Sequence, residues 1–268
     1  MFYLSVSQGT EVVIDSQNLL HSSAMKPSRY TARIEKILDL APNIRELTLS
    51  IVEPSSGKLN FLPGQAIAIE IESSNTQTPP VRYYSLASSP IQSTRLTLLL
   101  SLADQGIGST YLFELSEGAM VRFQGPHGSF HLNRAESRNR LFVATGTGIA
   151  PFLSMLHTLF EATPSHLITL FWGLRSERDV YYQEELQALA DTHACFSFVT
   201  TLSRAQSSWK GETGRVTALV ANLSSVEDLA VYVCGHKTMV KEVTKIVREK
   251  GSCPIYREQF FKSQKQDQ

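Results

Sequence analysis

The sequence predicts two domains in series, a small antiparallel β-barrel followed by an α/β domain built on a parallel sheet. Three observations lead there. The chain has 268 residues, nearly twice a domain of ~150 residues, which favours two units over one large core. From about Tyr30 to Phe123 apolar residues alternate with polar ones, the period of a half-buried strand. Beyond about Arg138 short apolar runs alternate with helical spacing, the pattern of β-α units.

In the first half, Leu47, Leu49 and Ile51, then Ile67, Ile69 and Ile71, then Leu96, Leu98, Leu100 and Leu102 mark strands. The breaks between them carry turn chemistry: Pro54-Ser55-Ser56-Gly57, Pro63-Gly64, the polar run 73–78, and Gly125-Pro126-His127-Gly128. Six or so short strands suggest a closed barrel. In the second half, strands are predicted at 141–144, 167–172, 195–200 and 229–233, with a last one at 255–261. Helices are predicted from Ile149 through Phe160 and at 180–190, 215–223 and 237–250, the last stopped by Gly251. The domains are placed at 29–134 and 138–268, with 1–28 as an N-terminal extension.

Composition excludes several classes. Lys plus Arg number 25 and Asp plus Glu 25, so no basic excess exists to neutralise a nucleic acid backbone. Hydrophobic residues at 42% and charged residues at 19% are ordinary globular usage. Cys195, Cys234 and Cys253 lie far apart with no CxxC pair, so neither a disulfide framework nor a cysteine-ligated cluster is expected. No apolar run approaches the ~18 residues of a membrane span, and residues 1–10 lack a signal-peptide pattern. The expected address is the cytoplasm. His127 and His131 are separated by Gly128 and Phe130, which argues against a helical metal pair; no metal site is expected. Glu184 and Glu185 read as a solvated helix face.

Three segments carry chemistry. Strand 141–144 runs into Thr145-Gly146-Thr147-Gly148-Ile149-Ala150-Pro151 and then a helix. Glycines let backbone N–H groups approach an anion, and the helix N-terminus adds partial positive charge, so a pyrophosphate fits there. Pro151 suits a first helical turn but replaces the third glycine of the dinucleotide fingerprint, and no acidic residue ends strand 167–172. A plain tight turn is the competing reading. The run Arg82-Tyr83-Tyr84-Ser85 offers a phosphate fork, stacking planes and a hydroxyl on one strand. Period two puts Arg82 and Tyr84 on one face and Tyr83 and Ser85 on the other, so a twist must bring Ser85 round. Its competing reading is an edge strand with a solvated arginine and core tyrosines. Gly106-Ile107-Gly108-Ser109-Thr110 is a second glycine-rich helix entry, whose hydroxyls suit either a phosphate or an N-cap. Two anion-binding turns, one per domain, suggest two nucleotides meeting at the domain interface.

In this order and spacing, Arg82-x-Tyr84-Ser85, Gly106-x-Gly108-Ser109, Gly125-Pro126-x-Gly128, Gly146-Thr147-Gly148-x-Ala150-Pro151 and Cys234-Gly235 resemble the ferredoxin–NADP reductase family of flavoproteins, over roughly residues 30 to 261. The resemblance implies a flavin-binding Greek-key barrel and an NAD(P)-binding α/β domain, with FAD as cofactor and NADH or NADPH as hydride donor. It implies that Arg82 binds the flavin diphosphate, that Tyr84, beside Tyr83, packs on the isoalloxazine, and that Ser85 hydrogen-bonds near flavin N5. Gly106, Gly108, Ser109 and Thr110 then contact the diphosphate. Thr145, Gly146, Thr147, Gly148 and Pro151 take the pyridine dinucleotide, with Arg175, Ser203 and Arg204 at its adenosine end. Cys234, with Gly235, lies beside the nicotinamide, where a small side chain lets the rings approach; a buried structural cysteine is the alternative. Phe260 is a candidate to shield the flavin. Tyr84, Ser85 and Cys234 are the expected catalytic residues.

Members fused to a plant-type [2Fe–2S] domain carry four cysteines, and this sequence has no such set. Electrons are therefore expected to leave to a separate ferredoxin, an oxygenase component or a small acceptor. Residues 19–27 resemble the end of a fused ferredoxin segment, and 1–28 read as its remnant. Ala66 follows Gln65 where an aromatic is common in the family. A monomer is expected. The alternative function is a flavin-binding electron-transfer or regulatory subunit without turnover of its own.

Overall fold

The computed structural model describes residues 27–260 apart from 56, 73–78 and 105. The proposed ferredoxin remnant at 1–28 thus lies outside the described residues except for its last two positions.

Strands β1 (Ser28–Ala41), β2 (Ile44–Glu53), β3 (Ala66–Glu70), β4 (Val81–Ser85), β5 (Arg95–Ser101) and β6 (Met120–His127) form one antiparallel sheet. Its order is β4-β3-β6-β1-β2-β5, so β6 returns to lie between β1 and β3. The sheet closes on itself after β4. Leu86 bridges Leu98, and the Ala87 N–H donates to the Thr97 carbonyl at 2.8 Å, which removes an open edge there. Alternation explains the core: Ile34, Leu47, Leu49, Ile67, Ile69, Leu96, Leu98 and Phe123 all point inward and are buried. Helix α1 (Ile107–Glu114) adds Leu112 to that core.

The second lobe holds a parallel sheet of β7 (Asn139–Thr145), β8 (Ile168–Leu174), β9 (Phe196–Leu202), β10 (Glu212–Thr213), β11 (Leu229–His236) and β12 (Ile255–Phe260), in the order β10-β9-β8-β7-β11-β12. Its central strands are buried on both faces, which is why they read as unbroken apolar runs. Phe142, Trp172 and Tyr232 pack under α2 (Ala150–Phe160) and α3 (Gln183–Thr192). Val143, Val231 and Val233 pack under α4 (Val216–Ala221) and α5 (Lys237–Lys250). The first of these cores also takes in Ala87, Leu99, Phe130 and Leu132, so the two lobes share apolar packing.

The short strand β10 was not expected, α4 ends at Ala221 where the helix was expected to reach 223, and two further elements differ at their ends. The helix expected at 180–190 starts at Gln183, because Ser176 and Asp179 form a capping box around a separate 3-10 turn, Glu177–Asp179. Tyr182 then takes φ 56° before α3 begins. Strand β11 runs on to His236, since parallel pairing with β12 carries it through Cys234 and Gly235. Among the described residues no helix is long and apolar enough to cross a membrane.

Candidate functional site

Strand order in the parallel sheet reverses between β7 and β11, and ligands of such sheets bind beyond the carboxyl ends of the strands at that point. Two turns leave the sheet there. After β7, Gly146–Ile149 makes a 3-10 turn into α2, with Pro151 in the helix's first turn. At the end of β11, Gly235 and His236 lead directly into α5. The turns touch: the His236 N–H donates to Thr145 Oγ1 at 3.1 Å, and a Cβ on Gly148 would overlap the Cys234 carbonyl oxygen. Trp172 Nε1 donates to the Gly146 carbonyl at 3.0 Å and fixes the first turn from below. Farther along the sheet edge, the Arg204 N–H bonds the Arg175 carbonyl at 2.7 Å and the Ser203 N–H bonds the Leu174 carbonyl at 3.0 Å. These bonds bring Arg175, Ser203 and Arg204 together, all three exposed.

The barrel contributes β4 and α1. Arg82 and Tyr84 share the face toward α1, as period two requires. A Cβ on Gly108 would lie 2.6 Å from Arg82 Cγ and 2.9 Å from the Tyr84 hydroxyl, so only glycine lets the helix N-terminus come this close. Arg82 donates to the Val81 carbonyl at 2.8 Å and has no carboxylate partner among the described residues. Gly106 caps α1 without a side-chain bond, leaving first-turn N–H groups without a partner among the described residues. The first to be met is that of Thr110, by the Gly106 carbonyl at 2.9 Å. This cradle fits a diphosphate: a guanidinium with no carboxylate partner among the described residues, beside a helix N-terminus without a side-chain cap. Ser109 departs from expectation. Its hydroxyl donates to the Gly106 carbonyl at 3.0 Å and accepts from the Ala103 N–H at 3.1 Å, so it shapes the loop and offers an anion only its backbone N–H. Burial pushes the Tyr84 phenol up to about 12, whereas Tyr83 is 53% exposed and stands edge-on to His127 at 5.3 Å.

The lobes meet at a carboxylate. Ser85 Oγ donates to Glu258 Oε2 at 2.9 Å, and Cys234 Sγ donates to the same oxygen at 3.7 Å. Register makes this possible, because Cys234 pairs with Glu258 across β11 and β12. Burial pushes the Glu258 carboxyl up to about 7 against the lowering effect of both hydrogen bonds. The Cys234 thiol is driven well above its ordinary value, by burial first and by Glu258 second, and is a neutral donor. Ser85 thus faces the second lobe, while Arg82 and Tyr84 face α1. Glu258 was not among the expected catalytic residues; its signal was a lone carboxylate inside an aromatic strand, flanked alternately by Tyr256 and Phe260. The backbone of Phe260 pairs with His236. Among the described residues no group of three His, Cys, Asp or Glu side chains stands where it could hold a metal.

Comparison with known proteins gives the same two halves. The family described as "Oxidoreductase FAD-binding domain" matches residues 31–132, and "Oxidoreductase NAD-binding domain" matches residues 142–245. The chain is 34% identical to ferredoxin–NADP reductase B of Sorangium cellulosum over 235 residues, 84% of this chain and 93% of that one. It is 33% identical over 210 residues to the anthranilate 1,2-dioxygenase electron transfer component of Acinetobacter baylyi, covering 77% of this chain and 60% of the relative. Among solved structures, the Amycolatopsis cytochrome P450 reductase GcoB superposes with a TM-score of 0.80 at 27% identity, over 87% of this chain and 70% of the other. The ferredoxin reductase of carbazole 1,9a-dioxygenase superposes with a TM-score of 0.77 at 25% identity, over 89% and 71%.

Proposed function

The chain belongs to the ferredoxin–NADP reductase family of flavoproteins, and from that premise we propose that it takes hydride from NAD(P)H onto FAD and passes electrons singly to a separate acceptor. The observation that carries this reading is the Ser85–Glu258–Cys234 contact, where barrel and sheet meet between two anion-binding turns. When bound, FAD supplies the step from two-electron to one-electron chemistry that nicotinamide lacks.

The chain's own residues do the rest. Arg82 and the N–H groups opening α1 hold the diphosphate, while Tyr83 and Tyr84 supply aromatic faces. Thr145 to Gly148 and the N-terminus of α2 hold the dinucleotide pyrophosphate, and Arg175, Ser203 and Arg204 meet its adenosine end. Glu258 Oε2, with Ser85 Oγ, holds a proton at the joint; a carboxyl titrating near 7 is poised to give or take it at neutral pH. The uncharged Cys234 thiol places no charge where hydride passes. The acceptor we propose is a ferredoxin or an oxygenase component, met by a cytoplasmic monomer.

The test is anaerobic addition of NADH and then NADPH to the FAD-loaded protein in a stopped-flow instrument. Flavin absorbance should bleach with at least one coenzyme. Ser85→Ala should slow bleaching about 10- to 100-fold, the range of a lost proton-handling group, with FAD still bound. Unbleached flavin in the unmodified protein contradicts the reading, as does an unchanged rate in Ser85→Ala.

A further inference from the structure

A second seam between the lobes runs along the segment that follows Ser85, where Ala87 and Ser88 line it. A cavity of about 440 Å³ opens there, with Glu46 of β2 and Ser89 on the barrel side and His157, Glu161, Tyr182 and Glu185 on the other. Two side-chain bonds cross it. Ser89 Oγ donates to Glu161 Oε1 at 2.6 Å, and the Tyr182 hydroxyl donates to Glu46 Oε2.

Tyr182 is unusual in its backbone as well. Among the described residues it is the one non-glycine with positive φ, at 56°, and it caps α3 without a side-chain cap bond. A bulky residue stays in that conformation only where its surroundings hold it, and such strain gathers at functional positions. Here the strained turn aims the phenol across the seam. The phenol is pushed above its ordinary range by burial first and by Glu46 next, so it stays a donor.

The same ring is packed back to the dinucleotide turn. Trp172, which donates to the Gly146 carbonyl at 3.0 Å, meets Tyr181 edge-on at 4.8 Å between ring centres. Tyr181 meets Tyr182 edge-on at 5.3 Å. Three aromatic rings thus join the turn after β7 to the carboxylate on β2, through close-packed contacts that move together.

We propose that Tyr182 and Glu46 are positioning residues for hydride transfer: their bond fixes the barrel against the dinucleotide turn, and so sets where Ser85 meets Glu258 and Cys234. Ser85 comes from one lobe and its partners from the other, so a small slip along the seam separates them. Transfer rates fall steeply with such misplacement. The proposal rests on the hydride-transfer reading above.

The experiment measures flavin reduction by NAD(P)H at saturating coenzyme in the FAD-loaded protein carrying Tyr182→Phe, Tyr182→Asn, Glu46→Ala, Glu46→Gln, or Tyr182→Phe with Glu46→Ala. Asparagine tolerates positive φ, so Tyr182→Asn keeps the turn while losing the bond. Tyr182→Phe, Tyr182→Asn and Glu46→Ala should each lower the limiting rate about tenfold, the scale expected of sub-ångström misplacement, with FAD affinity unchanged and half-saturating coenzyme altered less than twofold. Glu46→Gln, whose amide oxygen still accepts, should keep most of the rate, and the double variant should be no slower than the worse single one. Unmodified rates in Tyr182→Phe and Glu46→Ala, or losses that multiply in the double variant, overturn the proposal. If the unmodified protein itself fails to bleach, the functional reading falls and takes this proposal with it.

Discussion

Glu258 concentrates the chemistry of the site in one titration. Its carboxyl goes from an ordinary 4.5 in the unfolded chain to about 7 in the fold, because burial outweighs the bonds from Ser85 and Cys234. Between those values the folded protein binds more protons than the unfolded one, so stability falls as pH rises. The contribution is complete below 4.5 and lost through 7, and is on the order of 2–4 kcal/mol at one unit per 1.36 kcal/mol. We expect Glu258→Gln to flatten the urea-unfolding stability between pH 5 and pH 8 relative to the unmodified protein. An identical pH profile for the two would show that the carboxyl is not held protonated. This residue was hard to see in the sequence for a physical reason. Glu258 and Cys234 stand 24 positions apart, and only the parallel register of β11 and β12 makes them neighbours. Arg82, Tyr84 and Ser85 stood out because one strand carries all three, whereas the bonds of the Ser109 hydroxyl were hidden, since a buried hydroxyl can serve its own loop as readily as a ligand.

At the scale of elements, periodicity exposed what burial imposes. Strand β2 alternates because one face is partly exposed, β5 breaks its alternation at Leu99, which is buried against the second lobe, β7, β8 and β11 run apolar because both faces are covered, and α5 showed its inward stripe of Met239, Val240, Val243 and Val247 directly. The start of α3 was not legible, since Tyr182 takes a conformation its residue type does not advertise. The turns after β7 and β11 make the sharpest claim about elements. Gly148 has the Cys234 carbonyl carbon and Gly235 Cα each 2.8 Å from where its Cβ would stand, and both belong to backbone that cannot swing aside. Gly148→Ala must therefore push α2 and α5 apart. We expect a loss of about 1–3 kcal/mol in stability, the cost of overpacking a filled site, and a raised half-saturating coenzyme concentration with FAD affinity intact. Tight coenzyme binding in a protein of unaltered stability would show that the two turns are not pressed together.

At the scale of the whole molecule, the two lobes are separate sheets but not separate cores. Ala87, Leu99, Phe130 and Leu132 of the first lobe are buried in the cluster that holds Phe142, Phe152, Trp172 and Tyr232 of the second. Polar bonds reinforce that packing: Ser85 to Glu258, Ser89 to Glu161 and Tyr182 to Glu46 all join barrel residues to the second lobe. Either lobe unfolding alone would expose this apolar surface and strand the polar partners of the other, a penalty that couples the lobes. We expect one cooperative transition in urea. Both tryptophans, Trp172 and Trp209, lie in the second lobe, so their fluorescence reports it, while release of FAD reports the barrel. The two signals should share one midpoint and one slope. A barrel that lets its flavin go at lower urea, with tryptophan emission still native, would mean that the shared cluster is too weak to bind the lobes into one unit, and the seam could not then hold Ser85 in place.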